Sequence, residues 1–116
     1  PLLETCNIIT IHAPLNAQTK DLIGQTELSK LKDGAVLLNL GRGGIVSESA
    51  LAAIIDTKEI FVGLDVLEKE PMTDPHPLMN IAHKERLYIT PHIAWTSVEA
   101  RDKLIASVIE NIKGTF

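Results

Sequence analysis

Four ionisable side chains stand just past four apolar runs: His12, Arg42, Asp65 and His92. Glu70 follows the third of them at short range. The residue types suggest a chemistry. An arginine offers a planar fork that grips a carboxylate at two points. A histidine titrates near neutrality and can give or take a proton. A nearby carboxylate favours its charged form. Together, Arg, His and Glu suit reduction of a keto group beside a carboxylate, with the histidine delivering the proton. Singly, each has an ordinary explanation: a solvated arginine, a hydrogen-bonded structural histidine, an aspartate capping a turn. The coincidence of position favours a site. No metal is expected. His12, His76, His83 and His92 lack ligand spacing, and a structural zinc site would want more cysteines than Cys6. A serine elbow and a phosphate loop are both missing.

These side chains need a scaffold, and its centre is the stretch from Ala35 to Val46. Ala35 to Leu38 reads as a strand buried on both faces. It runs through Asn39-Leu40 into Gly41, Gly43 and Gly44, where the backbone can turn sharply or approach a ligand. Ser47-Glu48 supplies a cap and first turn for a helix running to about Thr57, with Ala50, Leu51, Ile54 and Ile55 as its apolar face. The glycines imitate the dinucleotide fingerprint G-x-G-x-x-G, but Val46 stands where Gly or Ala is needed for close helix–strand packing. The stretch therefore reads as a different strand-end loop, with Arg42 as its working side chain.

The other elements follow in order. Asn7 to His12 is a strand rich in isoleucine, ended by Pro14, and Cys6 belongs to the same apolar pattern. Leu22, Ile23, Leu28 and Leu31 suggest two short helical turns split by Gly24, and Lys32-Asp33-Gly34 is a turn. Ile60 to Val66 is a third buried strand. Leu67 to Glu85 is long and irregular, with Pro71, Pro75 and Pro77; such loops are functional or disordered. Leu87 to Thr90 is a fourth strand. Thr96-Ser97-Val98-Glu99 reads as a capping box before a helix with the stripe Leu104, Ile105, Val108, Ile109 and Ile112, closed near Gly114. The predicted fold is α/β with a parallel sheet. In such a sheet all four strand ends lie on one edge, where α/β proteins bind ligands.

Bulk properties set limits. At 116 residues the chain suffices for one small domain with a core, and at 3% aromatics that core must be aliphatic. A net charge of −4, without a Lys/Arg cluster, argues against a nucleic-acid surface. The single Cys6 excludes an internal disulfide and fits a reducing cytoplasm. The start lacks signal-peptide features, and no apolar run approaches the roughly 20 residues of a membrane span. The absence of an initiating Met suggests a piece of something longer.

Three ordered motifs carry a resemblance: Asn39-Leu40-Gly41-Arg42-Gly43-Gly44, Gly63-Leu64-Asp65-Val66-Leu67-Glu68-Lys69-Glu70-Pro71, and Thr90-Pro91-His92-Ile93-Ala94. With His12-Ala13-Pro14-Leu15 and Thr19 to Gly24, they resemble the D-2-hydroxyacid dehydrogenases over nearly the whole chain. His92 to Ser97, through Trp95, is similar to the glycerate dehydrogenase (hydroxypyruvate reductase) branch. The resemblance implies hydride transfer between a nicotinamide cofactor and a 2-keto/2-hydroxy acid. It implies that Arg42 binds the substrate carboxylate and polarises the keto oxygen, that His92 donates the proton, and that Glu70 holds and charges His92. It implies that Asp65 hydrogen-bonds the nicotinamide carboxamide, and that His12, Pro14, Leu40, Gly41 and Ala94 line the cofactor. Formate dehydrogenases of this superfamily carry glutamine where Glu70 stands, which counts against them.

The dinucleotide fingerprint, the ribose-binding acid and a first strand are missing. The resemblance implies that residues 1–94 are the second half of a Rossmann-like, doubly wound nucleotide-binding domain, and 95–116 a helix leading towards a substrate domain. The cofactor is NAD or NADP, with NAD favoured. The full-length protein is expected to be a cytoplasmic homodimer taking a small-molecule acid, with no nucleic acid and no membrane. A regulatory alternative is a corepressor of the C-terminal-binding-protein type, which shares these motifs. Alone, the chain is expected to associate, because the strand from Asn7 to His12 would lack its partner, and to bind NADH weakly or not at all, because the phosphate-binding half of the crevice is missing.

Overall fold

A computed structural model describes residues 1–115. Four strands, β1 (Ile8–Ile11), β2 (Ala35–Asn39), β3 (Ile60–Leu64) and β4 (Leu87–Ile89), form one parallel sheet in the order β1-β2-β3-β4. Register pairs Ile9 with Leu37, Leu37 with Val62, and Gly63 with Tyr88. Helices α2 (Gln25–Ser29) and α3 (Glu48–Ile54) lie in the crossovers, and α1 (Leu2–Thr5) precedes β1. The α/β parallel architecture is the predicted one. The sheet connections are parallel because each crossover is long enough to hold a helix.

One core serves the molecule. Ile9, Ile11, Leu37, Ile60, Val62 and Leu64 point to the face covered by Leu28 of α2 and Leu51 of α3. Leu28, Leu37, Leu51, Ile55 and Ile60 are fully buried, and each such side chain contributes about 1.5–3 kcal/mol. The opposite face is open. Ile8 is 65% exposed and Tyr88 76%, with Phe61 exposed beside them. The expectation that β2 and β3 are buried on both faces is therefore corrected. Burial alternates along both strands, because helices cover one side only. β1 is an edge strand, and its backbone away from β2 has no strand partner among the described residues.

Other boundaries also differ. Cys6 is not in β1; it ends α1, half-buried, and its N–H donates to Leu2 O. The first of the two predicted helical turns gives way to a bridge between Ile23 and Val46. The capping box at Thr96 does not form. The Thr96 hydroxyl donates to Ile93 O at 2.6 Å, and Ser97 Oγ instead accepts the Ala100 N–H at 3.2 Å. Helix α4 runs Val98–Thr115, so Gly114 lies inside it. No residue of α4 is buried, and its apolar stripe faces outward.

The long stretch after β3 is ordered. It contains two short 3-10 turns, Pro77–Asn80 and Lys84–Arg86. Leu78 and Ile81 insert into the core. The Asp56 carboxylate accepts the Ala82 and His83 N–H groups at 2.9–3.0 Å, and these donors hold its carboxyl below the ordinary range. Arg86 donates to the carbonyls of Ile55 and Lys58.

Candidate active site

Backbone ladders continue one residue past the strands at the carboxyl edge. Leu40 N donates to Ile11 O, Asp65 N to Asn39 O, and Thr90 N to Leu64 O. Parallel pairing thus delivers the loops after all four strands to one edge. There the candidate residues fall into two neighbouring groups.

The first group surrounds β3 and β4. A cleft of about 360 Å³ is walled by Leu67, Pro71, Met72, Ile89 and Pro91, with Asp65, Glu70, Thr90 and His92 as its polar members. His92 Nδ1 and Glu70 Oε2 are 2.9 Å apart. Glu70 Oε1 accepts the Leu67 N–H at 2.9 Å. The Leu67 N–H and the His92 ring hold the Glu70 carboxyl below its ordinary 4.5. His92 itself has φ 55°, the left-handed region uncommon for a residue with a side chain. Its surroundings enforce that conformation. Asp65 Oδ1 accepts the Thr90 hydroxyl at 2.6 Å and the Ile93 N–H at 2.8 Å, while Oδ2 accepts the Ala94 N–H at 2.9 Å. Trp95 Nε1 donates to His92 O. Burial pushes the Asp65 carboxyl up, but the Thr90 hydroxyl and the Ala94 and Ile93 N–H groups outweigh it and hold it below the usual range.

The second group lines a shallower depression formed by His12, Ala13, Pro14, Leu40, Gly41 and Arg42. Here the loops after β1 and β2 press together. A Cβ on Gly41 would stand 2.7 Å from Ala13 O, closer than atoms tolerate. Asn39, buried at the end of β2, orders the turn: its Oδ1 accepts the Gly41 N–H and its Nδ2 donates to Arg42 O. Arg42 is exposed, and its Nη1 donates to Gly41 O at 2.8 Å. His12, Pro14 and Leu40 are exposed beside it.

Sequence reasoning missed two supports. Glu48 is 7% exposed and accepts from Glu68 N and His76 Nε2. Gly43 lies against the Leu67–Glu68 peptide. The partners of Glu48 lie 20 and 28 residues away, so no local pattern reveals them. Asp65 was expected to face the cofactor amide; its two oxygens already take three protein donors. A carboxylate offers about four acceptor sites, so capacity for one further donor remains.

The cleft has the size and character of a small-ligand site: concave, largely apolar, with a few polar groups. Residues 1–94 match the family model described as D-isomer specific 2-hydroxyacid dehydrogenase, NAD binding domain. The chain belongs to this family. Over 113 residues it is 38% identical to a glycerate dehydrogenase of Methylorubrum extorquens, covering 97% of this chain and 36% of that protein. Its fold matches a D-lactate dehydrogenase of Aquifex aeolicus solved with NAD and lactic acid (TM-score 0.80, 26% identity, 98% of this chain, 38% of that one). It also matches a D-isomer specific 2-hydroxyacid dehydrogenase from Xanthobacter autotrophicus Py2 solved with NADPH and MES (TM-score 0.70, 33% identity, 79% and 29% covered). The chain spans about a third of the length of the curated relatives it matches. These relatives are dehydrogenases and reductases, and the corepressor alternative finds no support among them.

Proposed function

We propose that this chain is the catalytic half of the nucleotide-binding domain of an NAD(P)-dependent D-2-hydroxyacid dehydrogenase. The observation that carries the reading is the 2.9 Å contact of Glu70 with His92 Nδ1, which leaves Nε2 as the ring nitrogen for substrate. In the reductive direction, His92 gives its Nε2 proton to the keto oxygen as the C=O electron pair moves onto that oxygen. Glu70 fixes the ring and favours its charged form. When bound, the reduced nicotinamide supplies the hydride that reaches the carbonyl carbon. Arg42 turns its fork from Gly41 O to the substrate carboxylate and polarises the keto oxygen. Asp65 holds the His92 loop and spends its remaining acceptor capacity on the cofactor amide. His12, Pro14, Leu40, Gly41 and Ala94 shape the surface on which the cofactor lies.

Similarity to glycerate dehydrogenase supports hydroxypyruvate and glycerate as the acid pair. NAD is the favoured cofactor. A homodimer and a cytoplasmic location are part of the same proposal. Among the described residues no helix is long and apolar enough to cross a membrane. The test is the full-length protein with hydroxypyruvate, glyoxylate or pyruvate, followed by NADH or NADPH oxidation. Turnover of a 2-keto acid is expected, with hydroxypyruvate preferred. Absence of turnover with every 2-keto acid and both cofactors would overturn the reading.

A further inference from the structure

Glu48 and His76 line neither depression of the candidate site, yet they form a nearly buried pair of charge-bearing types, their side chains 9% and 10% exposed. A buried carboxylate needs partners to offset its lost hydration. Glu48 has two. Its Oε1 accepts the Glu68 N–H at 2.7 Å, and its Oε2 takes His76 Nε2 at 2.9 Å. His76 Nδ1 accepts the Leu78 N–H at 3.2 Å, which places the ring proton on Nε2 and makes His76 the donor to Glu48. One peptide separates this tie from the cleft. Leu67, beside Glu68, donates its N–H to Glu70 Oε1 at 2.9 Å, and Glu70 Oε2 meets His92 Nδ1.

We propose that Glu48 and His76 are positioning residues that aim Glu70 at His92 through the backbone of Leu67 and Glu68. The proposal rests on the reading of His92 as proton donor. An apolar pair in this place would avoid the desolvation of a carboxylate. A carboxylate is required because it accepts two N–H donors at once, one from the loop backbone and one from His76. The charged groups that face His92 are Glu70, from the loop after β3, and Asp65, from the end of β3. Glu48 acts on the first of these only by fixing where it sits.

The experiment measures keto-acid reduction by the full-length enzyme against pH for Glu48→Gln, His76→Ala, His76→Gln and, as reference, Glu70→Gln. Glutamine at position 48 keeps the shape but has one acceptor oxygen for two donors. Expected for Glu48→Gln and His76→Ala is a fall of roughly tenfold in kcat with the keto-acid KM nearly unchanged. Their loss of activity on the alkaline side should move to lower pH, as in Glu70→Gln but less far. His76→Gln, whose amide can donate to Glu48 Oε2, should restore the profile. A merely structural tie would lower Tm and leave the pH profile in place. If Glu70→Gln shifts the profile while His76→Ala does not, the positioning pair is overturned and the proton-donor reading stands. If Glu70→Gln itself causes no shift, both fall. Should Glu48→Gln fail to fold, the His76→Ala and His76→Gln pair decides by the same profile.

Discussion

Gly43→Ala perturbs the site from a residue that touches no substrate. A Cβ at position 43 would stand 2.5 Å from Glu68 N and closer still to the Leu67 carbonyl. Non-bonded heavy atoms settle near ~3.5 Å, so the Leu67–Glu68 peptide must retreat by at least about 1 Å. Its neighbours give it little room. Glu48 holds the Glu68 N–H on one side, and Leu67 is only 9% exposed within the core. That peptide shares Leu67 Cα with the preceding one, whose Leu67 N–H donates to Glu70 Oε1, so the displacement pulls on Glu70 as well. A 2.9 Å contact between Glu70 and His92, opened by that amount, is no longer a hydrogen bond. A misplacement of about 1 Å costs on the order of 10²-fold in rate. The assay is kcat for keto-acid reduction by the full-length enzyme, with Tm measured in parallel. Gly34→Ala is the control: position 34 has φ 78° and open space around an added Cβ. It should lose about 1–2 kcal/mol of stability and keep its kcat. A Gly43→Ala enzyme with wild-type kcat would refute the chain of contacts from the glycine loop to His92.

Three further outcomes are expected. Arg42→Lys should lower kcat/KM for 2-keto acids by at least about tenfold while Tm stays unchanged, since an ammonium cannot copy the bidentate fork; steady-state kinetics and thermal melts check it. Asp65→Ala removes the acceptor of three hydrogen bonds that keep His92 left-handed. It should cost about 1–3 kcal/mol in stability and lower kcat, read by melts and turnover. The 116-residue chain by itself should associate, because the β1 edge, the open sheet face with Ile8, Phe61 and Tyr88, and the α4 stripe are all exposed. It should bind NADH weakly, and size-exclusion chromatography with a fluorescence titration decides both.

Much of the architecture was legible because its causes are local. Isoleucine-rich runs make strands, Ser47 caps a helix, and proline and glycine end elements. Parallel pairing then follows from the crossover lengths. Which face of a strand is covered is not local: Val36 and Phe61 are as apolar as Leu37 and Val62, and only the position of α2 and α3 separates them. Helix α1 has four residues and no side-chain cap, so no periodicity announces it. At α4 two adjacent residues can cap, and the Thr96 hydroxyl goes to Ile93 O, leaving Ser97 the role. In the candidate site, residue types at strand ends mark out Arg42, Asp65, Glu70 and His92. Who holds whom was hidden. Asp65 is occupied by donors about 25 residues or more downstream, and Glu48 by a loop brought close only by folding.

The central claim is that Glu70 and His92 form the proton-donating pair, and the pH dependence of keto-acid reduction in wild type and Glu70→Gln tests it most directly. Reduction consumes a proton that His92 delivers, so activity should fall as pH rises. Removing the carboxylate's charge should move that fall to lower pH. On the acid side the sign is opposite. The Glu70 carboxyl is held below its ordinary 4.5, so the carboxylate's contribution is lost only as pH falls through that lowered value. Wild type should therefore keep the Glu70 carboxylate to lower pH than an ordinary glutamate would, and an alkaline limb displaced to lower pH in Glu70→Gln is the predicted result. Superimposable profiles for the two enzymes would contradict the account.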